Sequence, residues 1–147
     1  MMAQDSNICS FVDNYKQFLI SKAILAENGE CLLWTGYIDP GRYGKTSLDL
    51  HKLPYDLRAA CLGTAGSKRF KSVRVHRLAL TLAREPFSWP DRSLVASHLC
   101  HNKTCILATH LTFESNAINN TRKSCLRMGR CLGHHPYKDC MLNMHLP

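Results

Sequence analysis

Between Val95 and Cys140 the chain concentrates five of its eight cysteines and five of its eight histidines. Cys100, Cys105 and His110 fall within eleven residues. Thiolate and imidazole donors at such gaps are what tetrahedral Zn²⁺ sites are made of, and a closed structural site needs four of them. Cys31, beside an evident strand, is the candidate fourth ligand. Cys9 and Cys61 compete with it, and His101 would strain a site that already uses Cys100. Cys125, Cys131 and Cys140, with His134 or His135, form a second set, and spacing does not separate the two histidines. Two polar residues are left that no zinc requires, His98 and Asn119. A neutral imidazole with one nitrogen free accepts a proton from water. An amide oxygen can hold Mg²⁺, which accepts few protein ligands when waters and phosphate oxygens complete its octahedron. Together they make a minimal phosphodiesterase.

The elements that position these groups read as α+β. Asp5 or Ser6 is a candidate cap for a first helix to about Leu25, with Ile8, Phe11, Val12, Tyr15, Phe18 and Leu19 on one face. Cys31–Tyr37 reads as a strand, Pro40-Gly41 as a turn, and Tyr43–Leu48 as the hairpin partner. Leu53 to Gly66 reads as a loop. Lys68–Val75 is a basic strand with partial alternation, and His76–Arg84 a helix that stops before Pro86. Leu94–Ser97 is a short strand that delivers His98. Ser115 caps a helix to about Lys123 that carries Asn119. Trp34 and Trp89 read as core residues.

The bulk numbers frame this. At 147 residues, 45% apolar, the chain suits one modest domain that metal staples would support. It carries 19 Lys and Arg against 11 Asp and Glu, a net +8, which suggests a polyanionic partner. No long apolar run or lipidation signal points to a membrane. Met1 to Ser6 lack the basic start and apolar segment of a signal peptide, so an intracellular, reducing setting is expected and the cysteines read as zinc ligands, not disulfides. The glycosylation patterns at Asn102 and Asn119 are then chance matches.

The run Ala96-Ser97-His98-Leu99-Cys100-His101-Asn102, with Cys105, His110-Leu111, Glu114-Ser115 and Asn119, resembles the His-Cys box homing endonucleases, nearest their zinc-bound, nuclear intron-encoded type. Tyr43-Gly44 and Val75-His76-Arg77 are weaker echoes. The family often has Asn-Pro before the last zinc histidine, where this chain has Ala108-Thr109. The resemblance implies a zinc-stapled ββα-metal (His-Me finger) core with small antiparallel sheets and an N-terminal helix. It divides a single domain into a helix at about 1–30, a DNA-binding sheet region at 31–92 and the core at 93–147. It implies Mg²⁺-dependent cleavage of double-stranded DNA, with His98 as general base and Asn119 as ligand of one catalytic Mg²⁺. Cys31, Cys100, Cys105 and His110 would hold one structural Zn²⁺, and Cys125, Cys131, His134 and Cys140 a second. Arg69 and Arg74 are candidates for an arginine at the scissile phosphate. Lys45, Lys68, Arg69, Lys71 and Arg74 would meet DNA from the sheet, and Arg122 and Lys123 from the last helix. A homodimer and a nuclear location are further expectations.

Overall fold

The computed structural model describes residues 3–27, 29–51, 53–62 and 69–142, with side chains from Ser6 onward. Helix α1 spans Ala3–Ser21 and buries Phe11 and Leu19, with Val12, Tyr15 and Phe18 packed beside them. It begins ahead of the expected cap at Asp5 or Ser6 and ends four residues before Leu25. Ala23–Leu25 is instead strand β1, antiparallel to β2, Leu32–Trp34. Apolar residues at 23–25 continue the helical spacing of α1, which is why the strand was hidden in the sequence.

The expected hairpin between 31–37 and 43–48 does not form. Strand β3, Lys45–Asp49, pairs with β4, Phe70–Arg74, in the register Lys45 to Arg74 and Leu48 to Lys71. What remains of the hairpin is its tip: Ile38 bridges Gly44, Asp39 N–H donates to Tyr43 O at 2.8 Å and Lys45 N–H to Tyr37 O at 3.0 Å. The loop is instead wrapped on Trp34, whose indole N–H donates to the Tyr37 carbonyl at 3.0 Å. A Cβ at Gly36 or Gly44 would come within 2.3 or 2.5 Å of the Trp34 ring, so both positions demand glycine. Trp34 and Trp89 belong to the core, as expected.

Helix α2, Tyr55–Leu62, occupies most of the stretch expected to be a loop, and Gly63 to Gly66 lie outside the described residues. Helix α3, Val75–Leu82, follows β4 directly and buries Val75, His76, Leu78, Thr81 and Leu82. With Phe11, Trp34, Leu48 and Leu50, the Val75, Leu78 and Leu82 side chains make the main core. Each fully buried Leu or Val contributes about 2 kcal/mol. No helix among the described residues is long and apolar enough to cross a membrane.

Strands β5, Val95–His98, and β6, Leu111–Glu114, pair antiparallel, with Val95 opposite Glu114 and His98 opposite Leu111. Helix α4, Asn116–Met128, follows at once. The Ser115 hydroxyl accepts from the Ile118 N–H at 3.3 Å, and Gly129, at φ 72°, closes the other end in the left-handed conformation. Two strands and a helix thus carry the C-terminal half, the unit expected of a zinc-stapled His-Me finger within an α+β fold.

Candidate functional site

The first metal cluster is assembled by backbone pairing. Residues 104–106 lie along β2 as an added edge: Trp34 N–H donates to Thr104 O at 2.9 Å and Ile106 N–H to Leu32 O at 2.8 Å. This sets Cys31 beside Cys100, Cys105 and His110, all four buried, with donor atoms within 4.8 Å of one another. The His110 Nδ1 lies 3.6 Å from Cys31 Sγ and 3.5 Å from Cys105 Sγ. Tetrahedral zinc with ordinary bond lengths places sulfur and nitrogen roughly 3.6 Å apart, so the donors fit the ion. Burial pushes the Cys31 thiol up to about 11, while its hydrogen bond from Cys100 pulls Cys105 down to about 5. Thiols this close share little negative charge unless a dication joins them. Cys9 is exposed and Cys61 sits in the main core, so neither takes part.

Cys125, Cys131, His134 and Cys140 converge in the same way. His134 Nε2 is 3.3 Å from Cys125 Sγ and 3.4 Å from Cys140 Sγ. Its Nδ1 lies 3.1 Å from the Thr121 hydroxyl, which donates to the Ile118 carbonyl at 2.6 Å. The imidazole therefore donates through Nδ1 and leaves Nε2 for metal. This selects His134; His135 is exposed. The two Cys₃His clusters fit two structural zinc ions.

Between the clusters opens a cleft of about 550 Å³. His98, at the end of β5, and Asn119, one turn into α4, both line it. The His98 Nε2 lies 3.0 Å from the Cys105 carbonyl and so carries the hydrogen, leaving Nδ1 as the basic nitrogen. The oriented base thus hangs on the backbone of a metal ligand. Burial pushes His98 down to about 4, the Cys105 carbonyl partly opposes this, and His101 and Lys103 lower it further. It is neutral at pH 7. The Asn119 Oδ1 accepts from the buried Ser97 hydroxyl at 2.8 Å, which fixes the amide from β5.

Arg74, Arg77, Lys103 and Lys123 also line the cleft, and no carboxylate does among the described residues. Arg74 lies 4.3 Å over the Tyr43 ring and 3.7 Å from the Asp39 carboxylate. The backbone N–H of Tyr43 holds the Asp39 carboxyl below the usual range, with Arg74 adding to the effect. Lys45 stands opposite Arg74 on the exposed face of the β3–β4 ribbon.

Other candidates are placed elsewhere. Arg69 forms an exposed pair with Asp49 at 3.1 Å and is not among the cleft's lining residues. Lys71 shares the inward face with Leu48 and donates to the Cys61 carbonyl, so it is not offered to DNA. Arg122 belongs to the cleft's wall but is 1% exposed and bound to Glu114, not solvated beside phosphates. Lys68 lies outside the described residues. Two further residues that the sequence did not single out for chemistry join the cleft, Tyr43 and His76. The His76 ring stacks on Tyr43 at 5.3 Å and lies 4.4 Å from His98. Their sequence signals were Tyr43-Gly44 and the Val75-His76-Arg77 run that opens α3.

The family model for the zinc-binding loop region of homing endonuclease matches residues 51–144, more than half of the chain. No curated protein and no solved structure matches.

Proposed function

From the premise that this chain belongs to the homing endonuclease family defined by that zinc-binding loop region, we propose that it hydrolyses phosphodiester bonds in double-stranded DNA with Mg²⁺. Membership itself carries a nuclease-related, DNA-binding role. The observation that supports catalysis most is the His98 ring: Nε2 held by the Cys105 carbonyl, Nδ1 left as the basic nitrogen, and protonation disfavoured by burial. A base of this kind is ready at neutral pH.

His98 Nδ1 takes the proton from a water that attacks phosphorus in line with the leaving 3′ oxygen. The Asn119 amide oxygen is a hard donor in a cleft without thiols or carboxylates, which suits Mg²⁺ kept mostly by water and phosphate oxygens. When bound there, Mg²⁺ supplies electrostatic stabilisation of the developing charge. Ser97 keeps the amide oxygen aimed. Arg74, flanked by Tyr43 and Asp39, neutralises charge at phosphorus, and Lys103 and Lys123 hold neighbouring phosphates. The exposed face with Lys45 and Arg74 would lie along the duplex groove.

Plasmid nicking and linearisation with Mg²⁺ tests this, wild type beside His98→Ala, with zinc measured in both. The variant should keep two zinc ions and lose about 10²- to 10⁴-fold in rate. Equal cleavage by both proteins would remove His98 from the mechanism. Salt-sensitive DNA binding without any cleavage would leave a non-catalytic zinc-containing DNA-binding protein.

A further inference from the structure

We infer that Arg122 is a positioning residue through which occupancy of the second zinc cluster sets the orientation of Asn119. The inference rests on the reading of Asn119 as the Mg²⁺ ligand, and adds to it a control point in the buried wall of the cleft, tied to the second metal cluster.

Arg122 and its partner Glu114 are buried to 1% and 3% exposure. The contact is a two-pronged fork, Nε to Oε2 at 2.7 Å and a terminal nitrogen to Oε1 at 2.8 Å. The remaining terminal nitrogen points at Cys140 Sγ, 3.5 Å away. One guanidinium thus joins three bodies. Glu114 belongs to β6, opposite Val95 on the strand that ends in His98. Arg122 itself follows Asn119 by one helical turn and precedes Cys125 by another. Cys140 belongs to the metal cluster.

A buried charge needs all its partners, and an arginine fork is directional where an ammonium is not. Zn²⁺ with three thiolates and a neutral imidazole has a net charge of minus one, and the free arm of Arg122 faces that charge. With the ion in place, α4 is tied to the cluster by Cys125, by the Thr121–His134 contact and by Arg122. Without it, the segment carrying Cys131, His134 and Cys140 has only a few backbone bonds, among them Met141 N–H to Leu99 O at 2.7 Å. The helix turn that bears Asn119 then loses one of its two fixed ends, the other being Ser97.

The two clusters are unequal in a way that gives this coupling a use. All four donors of the first are buried, whereas Cys131 and Cys140 of the second are half-exposed. The outer ion is the one that solutes reach first. Cleavage would therefore respond to zinc availability while the inner ion preserves the fold.

The test uses the full zinc-loaded chain with a chromogenic zinc chelator, and follows the ¹⁵N side-chain amide signals of Asn119. Wild type should release its zinc in two phases, and the Asn119 signals should move with the first. Arg122→Lys should still bind two ions but release the outer one about tenfold faster, in line with other outer-shell partners. Its Asn119 signals should be displaced before any chelation, its Mg²⁺ requirement for cleavage raised severalfold, and its pH profile unchanged, because His98 is held by a different loop. Glu114→Gln, with zinc content checked first, serves should the lysine variant not fold. Unmoved Asn119 signals on loss of the outer zinc, or wild-type release rates in both variants, would overturn the coupling. Wild type that shifts its Asn119 signals but never cuts DNA would sink the nuclease reading and leave the coupling standing.

Discussion

Replacing His76 should flatten the acid dependence of folding stability. His76 is 5% exposed, its Nε2 donates to the Ala96 carbonyl at 3.0 Å, and its buried Nδ1 has no hydrogen-bond partner among the described residues. Burial drives it down to about 3, helped by His98, Arg74 and Arg77, and the Ala96 carbonyl only partly opposes this. The unfolded chain titrates this group near 6.5, so between the two values the unfolded state binds the extra proton. A depressed histidine therefore contributes stability that is present at neutral pH and fades as pH falls through the unfolded value. From pH 7.5 to 5.5 the loss is about 1 kcal/mol. Urea unfolding followed by the fluorescence of Trp34 and Trp89, with zinc in excess, measures it in wild type and His76→Gln. Glutamine keeps a donor for Ala96 and does not titrate. The variant should be less stable at pH 7.5 yet lose about 1 kcal/mol less on acidification, since folded His98, held down to about 4, stays neutral across this range and the zinc ligands are common to both proteins. Parallel pH slopes for the two proteins would refute the neutral, buried state of His76.

Cys31→Ser removes one donor from the inner cluster. Zinc per chain should fall from two to one, and cooperative unfolding should be lost, because a structural zinc site is worth about as much as the whole fold. Gly44→Ala should cost about 1–3 kcal/mol by driving a methyl into the Trp34 ring, read as a drop in thermal midpoint. Lys123→Ala should reduce the salt slope of DNA binding by about one, whereas Lys71→Ala should leave that slope alone and lower stability. A steeper effect at Lys71 than at Lys123, read by binding titrations at several salt concentrations, would contradict the assignment of faces.

Metal donors were the most legible part of the sequence, because thiols and imidazoles crowded at short gaps rarely gather except around a metal ion. Their partner choice was less so. His134 and His135 are adjacent and chemically identical, and only the Thr121 hydroxyl, thirteen residues upstream, distinguishes them. Arg122 read as a solvated charge because its partner Glu114 lies on another element and meets it only after β6 turns into α4. Lys71 read as an outward base because charged side chains in a strand are usually exposed. Here the long stem crosses apolar surface and the amine reaches a carbonyl of α2. The turn signal at Pro40-Gly41 was real and closes the Ile38–Gly44 bridge, but β3 beyond it pairs with β4 while Gly36 and Gly44 clasp the Trp34 indole.

The Cys105 carbonyl that holds the His98 ring gives the loop from Cys100 to Cys105 a second duty, as a spacer. The place of that carbonyl is fixed by β2 on one side and a metal donor on the other, and within the loop the Asn102 side chain accepts from the Thr104 N–H and hydroxyl. With one residue added or deleted, every donor would survive, the protein could still bind its zinc, and the imidazole would tilt away from its place in the cleft. Loop length is then a quantity on which this cleft is calibrated.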